Sequence, residues 1–192
     1  MLKEIEIVRE SPMPGLSICH GITHPQALEL IAQAHQDPLV AQNTSDPKRF
    51  RDAEALSLWL AKGRTIYTLT GETERLLGII WLGDEPLPIQ PFTTPIDQTD
   101  YDVTLAMRIY AEARGRGLAK AFLVPTLVDY LQDMGVMKKG IWIGTSVDNA
   151  PVIKSFGKLG FQQVTNPDSK QKIVMVASRE NILHYVLLPS AE

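Results

Sequence analysis

The chain has 192 residues, 44 % apolar and 21 % charged, with 19 basic against 22 acidic side chains for a formal charge of −3. This composition excludes a disordered polyelectrolyte and argues against a dedicated nucleic-acid surface, which carries a basic excess. A chain of this length buries enough surface to fold as a single domain, residues 1–192, without a disulfide or a structural metal.

The lone Cys19 rules out an intrachain disulfide and fits a reducing, cytoplasmic setting. The longest apolar run, Leu76–Leu82 with one glycine, is too short to span a bilayer. Glu4 and Glu6 place acid where a targeting peptide would not.

Residues 3–9 alternate charged and apolar groups and predict a first strand, broken by Ser11-Pro12-Met13-Pro14-Gly15. Thr23-His24-Pro25-Gln26 has capping-box spacing with proline in the first turn, so a helix is expected to about Gln36. A second helix is expected over 52–62. Arg64–Thr70 and Leu76–Leu82, joined by Gly71-Glu72-Thr73-Glu74, read as an antiparallel hairpin. Gly83–Asp100 holds four of the 13 prolines and predicts a long irregular loop, either a shaped part of an acceptor site or a surface excursion.

Tyr101–Tyr110 is strand-like, and Gly117–Met134 is an apolar-striped helix with Pro125 inside it. Gly140–Val147 is a strand and Pro151–Leu159 a short helix, with Gly160 where a left-handed cap belongs. Phe161–Val164, Lys172–Ala177 and Ile182–Leu188 read as strands, which makes 165–192 a strand-containing C-terminal segment. A hairpin followed by strands alternating with helices predicts an α/β fold with a mixed sheet flanked by helices.

The chemistry concentrates in Ile109-Tyr110-Ala111-Glu112-Ala113-Arg114-Gly115-Arg116-Gly117-Leu118-Ala119-Lys120, where a strand ends, a glycine turn follows and a helix begins. Helix-start N–H groups lack intrahelical partners, the dipole adds positive charge, and glycines permit close approach of a bulky anion. With Arg108 just before it, the segment gathers Arg108, Arg114, Arg116 and Lys120 within thirteen residues, so it reads as a phosphate or pyrophosphate cradle. A P-loop would need Gly-Lys-Ser/Thr, and a dinucleotide fingerprint would need a small residue at Lys120. Neither pattern is present.

Arg114-x-x-Gly117-x-Ala119 resembles the Arg/Gln-x-x-Gly-x-Gly/Ala signature of the GNAT superfamily of N-acetyltransferases. Asn149-Ala150-Pro151-Val152-Ile153-Lys154-Ser155-Phe156-Gly157-Lys158-Leu159-Gly160-Phe161 resembles that family's second motif. The resemblance is specific over 103–161 and looser over the rest of 3–165. It implies a GNAT-like sheet with an antiparallel N-terminal hairpin and parallel, splayed central strands. It also implies acetyl-CoA, or another acyl-CoA, as cosubstrate and an amine acceptor, without a metal. The N–H groups of Gly115, Arg116, Gly117, Leu118 and Ala119 would hold the pyrophosphate. Backbone groups of Ile109, Tyr110 and Ala111 would line the pantetheine, which Asn149 would contact. By position alone, Asn149 is equally a helix N-cap.

Acyl transfer to an amine needs a sink for the amine proton, donors for the oxyanion and, for many family members, a tyrosine that protonates the leaving thiolate. Phe156 stands at that tyrosine's position, beside the expected cofactor, and cannot donate. Either the thiolate leaves unassisted, or another donor acts, or the chain is a non-catalytic acyl-CoA-binding sensor or partner module. Asp102 and Tyr110 are the candidate catalytic groups, with Asp100 and Glu112 as further carboxylates. Strand alternation puts Asp102, Thr104, Ala106, Arg108 and Tyr110 on one face. His20 and His24 lack a third ligand near by, His35 ends a helix, and His184 is placed in a strand. Trp59, Trp81 and Trp142 read as core, while Trp81 and Phe92 have the alternative of lining an acceptor pocket. A homodimer is the ordinary expectation for such a chain.

Overall fold

The computed structural model describes residues 6–10, 14–133 and 139–187. In chain order these form β1 (Glu6–Glu10), β2 (Leu16–His20), α1 (His24–Gln36), α2 (Pro38–Asn43), α3 (Asp46–Arg49), α4 (Ala53–Leu60), β3 (Thr65–Gly71) and β4 (Leu76–Asp84). There follow β5 (Tyr101–Ile109), α5 (Leu118–Asp133), β6 (Gly140–Ser146), α6 (Ala150–Gly157), β7 (Gln162–Gln163), β8 (Lys172–Ala177) and α7 (Arg179–Leu187). Residues 3–5 of the expected first strand, Met134 and Leu188 lie outside the described residues.

Local sequence accounts for most boundaries. Thr23 and Gln26 form the reciprocal capping box at α1, with Gln26 N–H on Thr23 Oγ1 at 3.2 Å and Thr23 N–H on Gln26 Oε1 at 3.0 Å. Asp52 caps α4 by accepting Ala55 N–H at 2.7 Å. The β3–β4 hairpin pairs antiparallel from Thr65↔Leu82 to Thr70↔Leu76, as the sequence predicts.

Of the expected C-terminal strands, Lys172–Ala177 is found as β8, and the one expected over Ile182–Leu188 is not. Residues 179–187 are helical, not a strand, and His184 is an exposed helical residue whose ring meets Tyr185 edge-on. The run Ile182-Leu183-His184-Tyr185-Val186-Leu187 supports either period, and local capping decides it. Ser178 Oγ accepts Asn181 N–H at 3.2 Å, and Ser178 O accepts Ile182 N–H at 3.0 Å.

The chain divides into two compact units, Met1–Leu82 with Met107–Thr126, and Gly83–Ala106 with Leu127–Glu192. In the first, β1 pairs β2, β2 pairs β3 and β3 pairs β4, all antiparallel. Tyr110 N–H, just past β5, donates to Leu77 O at 2.9 Å. Leu76 to Leu82 are buried without alternation, the pattern of a strand covered on both faces. Ile18, Phe50, Tyr67, Ile79, Ile80 and Phe122 are fully buried.

In the second unit β5 and β6 pair in parallel at Tyr101↔Gly140, Val103↔Ile141 and Thr104↔Trp142. The register slips between Tyr101 and Val103, so Asp102 is the extra residue of a bulge and simple alternation does not carry through it. β6 and β8 pair antiparallel from Ile141↔Ala177 to Ser146↔Lys172, and β7 pairs β8 antiparallel. Strand pairing among the described residues is thus antiparallel in the first unit and mixed, parallel and antiparallel, in the second, in keeping with the mixed α/β class expected from the sequence.

The proline-rich segment is packed rather than loose. Leu87 is buried with Trp142, Val164, Val174 and Val176, and Phe92 and Ile96 pack against this cluster. Its backbone is tied near its start and at its middle: Glu85 N–H donates to Asp102 O, Leu87 N–H to Tyr101 O, and Thr93 N–H to Val164 O at 2.8 Å. Trp142 Nε1–H donates to Glu85 O at 2.8 Å.

Candidate functional site

The turn between β5 and α5 is built from its own hydrogen bonds. Tyr110 N–H points to β4, so the N–H of Ile109, the last residue of β5, points away from it, because strand donors alternate. Ala111–Ala113 form one tight turn, with Ala113 and Arg114 N–H on Tyr110 O at 2.9 and 3.1 Å. Gly115 and Gly117 then take φ of +75° and +72°, where a side chain is strained, although a Cβ at either would meet nothing within 4 Å. The glycines are therefore required by backbone conformation, and the space beside them is open. Leu118 starts α5, whose first-turn N–H groups have no intrahelical acceptor. This arc of donors suits a phosphate-sized anion.

The cationic complement differs from the sequence expectation. Arg114 donates through Nη2 to Asp37 Oδ2, and the Asp37 side chain is only 1 % exposed. Arg108 holds Asp46 with two bonds, Nε to Oδ2 at 2.7 Å and Nη2 to Oδ1 at 3.2 Å. Arg49 Nη1 also donates to Asp46 Oδ1, at 2.8 Å. Two of the four cations expected in the cradle are thus engaged by buried carboxylates. Arg116 and Lys120 are exposed. Sequence reasoning misses Asp37 and Asp46 because they lie 77 and 62 residues from these partners. The Asp-Pro pair at each is the available signal, since Asp before Pro is a common helix start.

Burial pushes the Asp37 pKa up, but Arg114 and the N–H groups of Val40 and Leu39 outweigh it and hold the carboxyl below its ordinary value. Tyr110 is buried, and its hydroxyl has no hydrogen-bond partner among the described residues. Burial holds the phenol far above its ordinary pKa, so Tyr110 keeps its proton and is no base. Asp102 is 46 % exposed and 3.1 Å from Lys139 Nζ. Glu112 pairs with Arg75 at 3.0 Å on the surface, and Asp100 is exposed.

In the second unit Asn149 occupies the N-cap position of α6, but its side chain makes no cap bond. Phe156 is 2 % exposed and meets Phe161 edge-on at 5.0 Å, so its ring serves packing.

The remaining candidates resolve into packing. Trp81 lies under two guanidinium groups, Arg49 at 5.2 Å and Arg64 at 5.1 Å, and edge-on to Trp59 at 5.4 Å. His20 stacks on Tyr67 at 4.8 Å. Among the described residues no three His, Cys, Asp or Glu side chains are grouped to hold a metal, and no helix is long and apolar enough to cross a membrane.

The sequence profile of the acetyltransferase (GNAT) family matches residues 28–161. No curated protein sequence matches the chain. Among solved structures, an uncharacterized protein from Bacillus halodurans superposes with a TM-score of 0.66 at 16 % identity, over 90 % of this chain and 88 % of that one. A spermidine N-acetyltransferase from Vibrio cholerae, in complex with CoA and spermine, gives 0.66 at 12 % identity over 89 % and 99 %. A domain from Methanocaldococcus jannaschii gives 0.59 at 17 % identity over 85 % and 97 %.

Proposed function

The chain belongs to the GNAT acetyltransferase family, and from that premise we propose that it transfers an acyl group, acetyl in the first instance, from acyl-CoA to an amine. The observation that carries the reading is the glycine-shaped arc at 115–117, opening onto the first turn of α5 with unfilled space around both glycines.

In this proposal the N–H groups of Gly115 to Ala119 bind the pyrophosphate, with Arg116 adding exposed charge. The backbone groups of Ile109 and Ala111 pair with the pantetheine arm, the Ile109 N–H being turned away from β4, and Asn149 contributes a side chain not spent on capping. Acyl-CoA supplies the thioester: the amine nitrogen bonds to its carbonyl carbon as the carbon–sulfur bond breaks. Asp102 is the proposed acceptor of the amine proton. Tyr110 is fully buried and lies just past the far end of β5 from Asp102, so in this proposal the thiolate leaves unassisted, one of the routes open when residue 156 is phenylalanine.

Phe156 favours one competing reading, an acyl-CoA-binding module without turnover. Calorimetric titration with CoA, paired with thiol release from acetyl-CoA against a broad amine panel, separates the two. Binding with amine-dependent thiol release supports the enzyme. Binding with no release under any amine supports the module, and absence of binding refutes both.

A further inference from the structure

Asp37 carries two duties on one carboxylate. Its Oδ1 accepts Leu39 N–H at 3.0 Å and Val40 N–H at 3.3 Å, capping α2, while its Oδ2 accepts the Arg114 guanidinium. The side chain is 1 % exposed. Arg114 is in turn fixed through its backbone, whose N–H donates to Tyr110 O and Ala111 O. The next residue, Gly115, swings to φ +75°. Arg114 is therefore the last residue held by both main chain and side chain before the glycine arc. Its guanidinium charge is met by a buried carboxylate before any ligand arrives.

We propose that Asp37 is a positioning residue for the acyl donor. It acts through Arg114 to hold the arc at 115–117 in shape, and Arg114 serves that arc by geometry and not by charge on the phosphate. This rests on the reading that the arc takes the CoA pyrophosphate. The first turn of α2 and the base of the loop are thereby tied to each other, although 77 residues separate their two contact points in sequence.

The test is a double-mutant cycle with Asp37→Asn, Arg114→Gln and the two combined, measuring CoA dissociation constants and, where turnover is seen, KM for acetyl-CoA against kcat. Asn is as good an N-cap as Asp, so Asp37→Asn keeps α2 capped and removes only the counter-ion. It sets an NH2 donor against the guanidinium and is expected to weaken CoA binding about tenfold. Arg114→Gln leaves the carboxylate buried without its cation, with a similar loss. In the double variant the side-chain amide N–H at position 37 can donate to the side-chain amide oxygen at position 114. Binding is then expected to return to within about threefold of the parent. KM should follow these changes while kcat at saturating acetyl-CoA stays within about twofold.

The proposal is overturned if Asp37→Asn binds CoA as the parent does, or if the double variant is no better than Arg114→Gln. The latter outcome would mean that the Arg114 charge itself meets the phosphate. Should Asp37→Asn not fold, the comparison of Arg114→Gln with the double variant decides alone. A parent chain that binds no CoA refutes the underlying reading, and is distinguished by needing no variant at all.

Discussion

Asp46 offers the sharpest test of what holds the first unit together. Its carboxylate is 2 % exposed and accepts three hydrogen bonds, all from guanidinium groups: two from Arg108 and one from Arg49. Asp46→Ala leaves two arginines, 17 % and 24 % exposed, facing one another without the anion between them. Breaking one partner out of a buried pair costs roughly 3–5 kcal/mol. The lower end applies here, because Arg108 retains a bond to Met107 O at 3.0 Å and Arg49 retains the faces of Trp81 and Phe50. About 3 kcal/mol corresponds to a fall in Tm of about 6–12 °C for a chain of this size. Urea unfolding followed by tryptophan fluorescence is a direct assay, since Trp81 touches the same arginine. Arg51→Ala is the control: its bridge to Asp52 is exposed at both ends, 66 % and 50 %, and should change stability by less than about 1 kcal/mol. If Asp46→Ala loses less than about 1 kcal/mol at unchanged m-value, or no more than the control, the buried-anion argument is wrong.

The depressed Asp37 pKa makes stability depend on acid. Stability from its ionised form is fully present above the unfolded carboxylate pKa, about 3.9, and is lost as pH falls through the lower folded value. Urea midpoints measured from pH 6 to 3 should therefore fall less steeply in Asp37→Asn than in the parent. Gly140→Ala puts a Cβ 2.5 Å from the Ala177 carbonyl oxygen and 2.7 Å from the Tyr101 ring, and backbone cannot yield as a side chain does. A loss of about 1–3 kcal/mol in chemical denaturation is expected. Thr126→Val removes a fully buried hydroxyl that has no partner among the described residues, so it should be neutral or stabilising by up to about 1 kcal/mol. A destabilisation above that size would show that the hydroxyl is satisfied in solution.

The legible parts of this fold are those whose signals are local. The capping box at Thr23, the hairpin around Gly71 and the strand–glycine–helix passage at 109–119 each carry their cause within a few residues. The short helices α2 and α3 are not legible, because α2 buries only Val40, too little to leave an apolar period, and α3 is a single turn. The run from Ile182 reads wrongly as a strand because its apolar residues have no clear period and the capping signal at Ser178 is weak. In the candidate site, the glycine turn is readable and the pairing of its flanking cations is not. Charges adjacent in sequence look available, although Arg108 and Arg114 answer to carboxylates brought in by a distant stretch of chain. Counting cations along a sequence overstates the charge a site can offer whenever folding supplies anions from elsewhere.

The proline-rich segment has a practical consequence. Leu87 is 4 % exposed and Thr93 N–H is bonded to Val164 O, while Ile89 between them is 90 % exposed. Those two anchors fix the ends of a short outward arch whose tip contributes nothing to the packed cluster beneath. Doubling the length of such an arch costs only about 0.6 kcal/mol in closure entropy. A peptide tag or fluorophore handle inserted at Ile89 would ride on the second unit without entering its core, leaving both ends of the chain untouched.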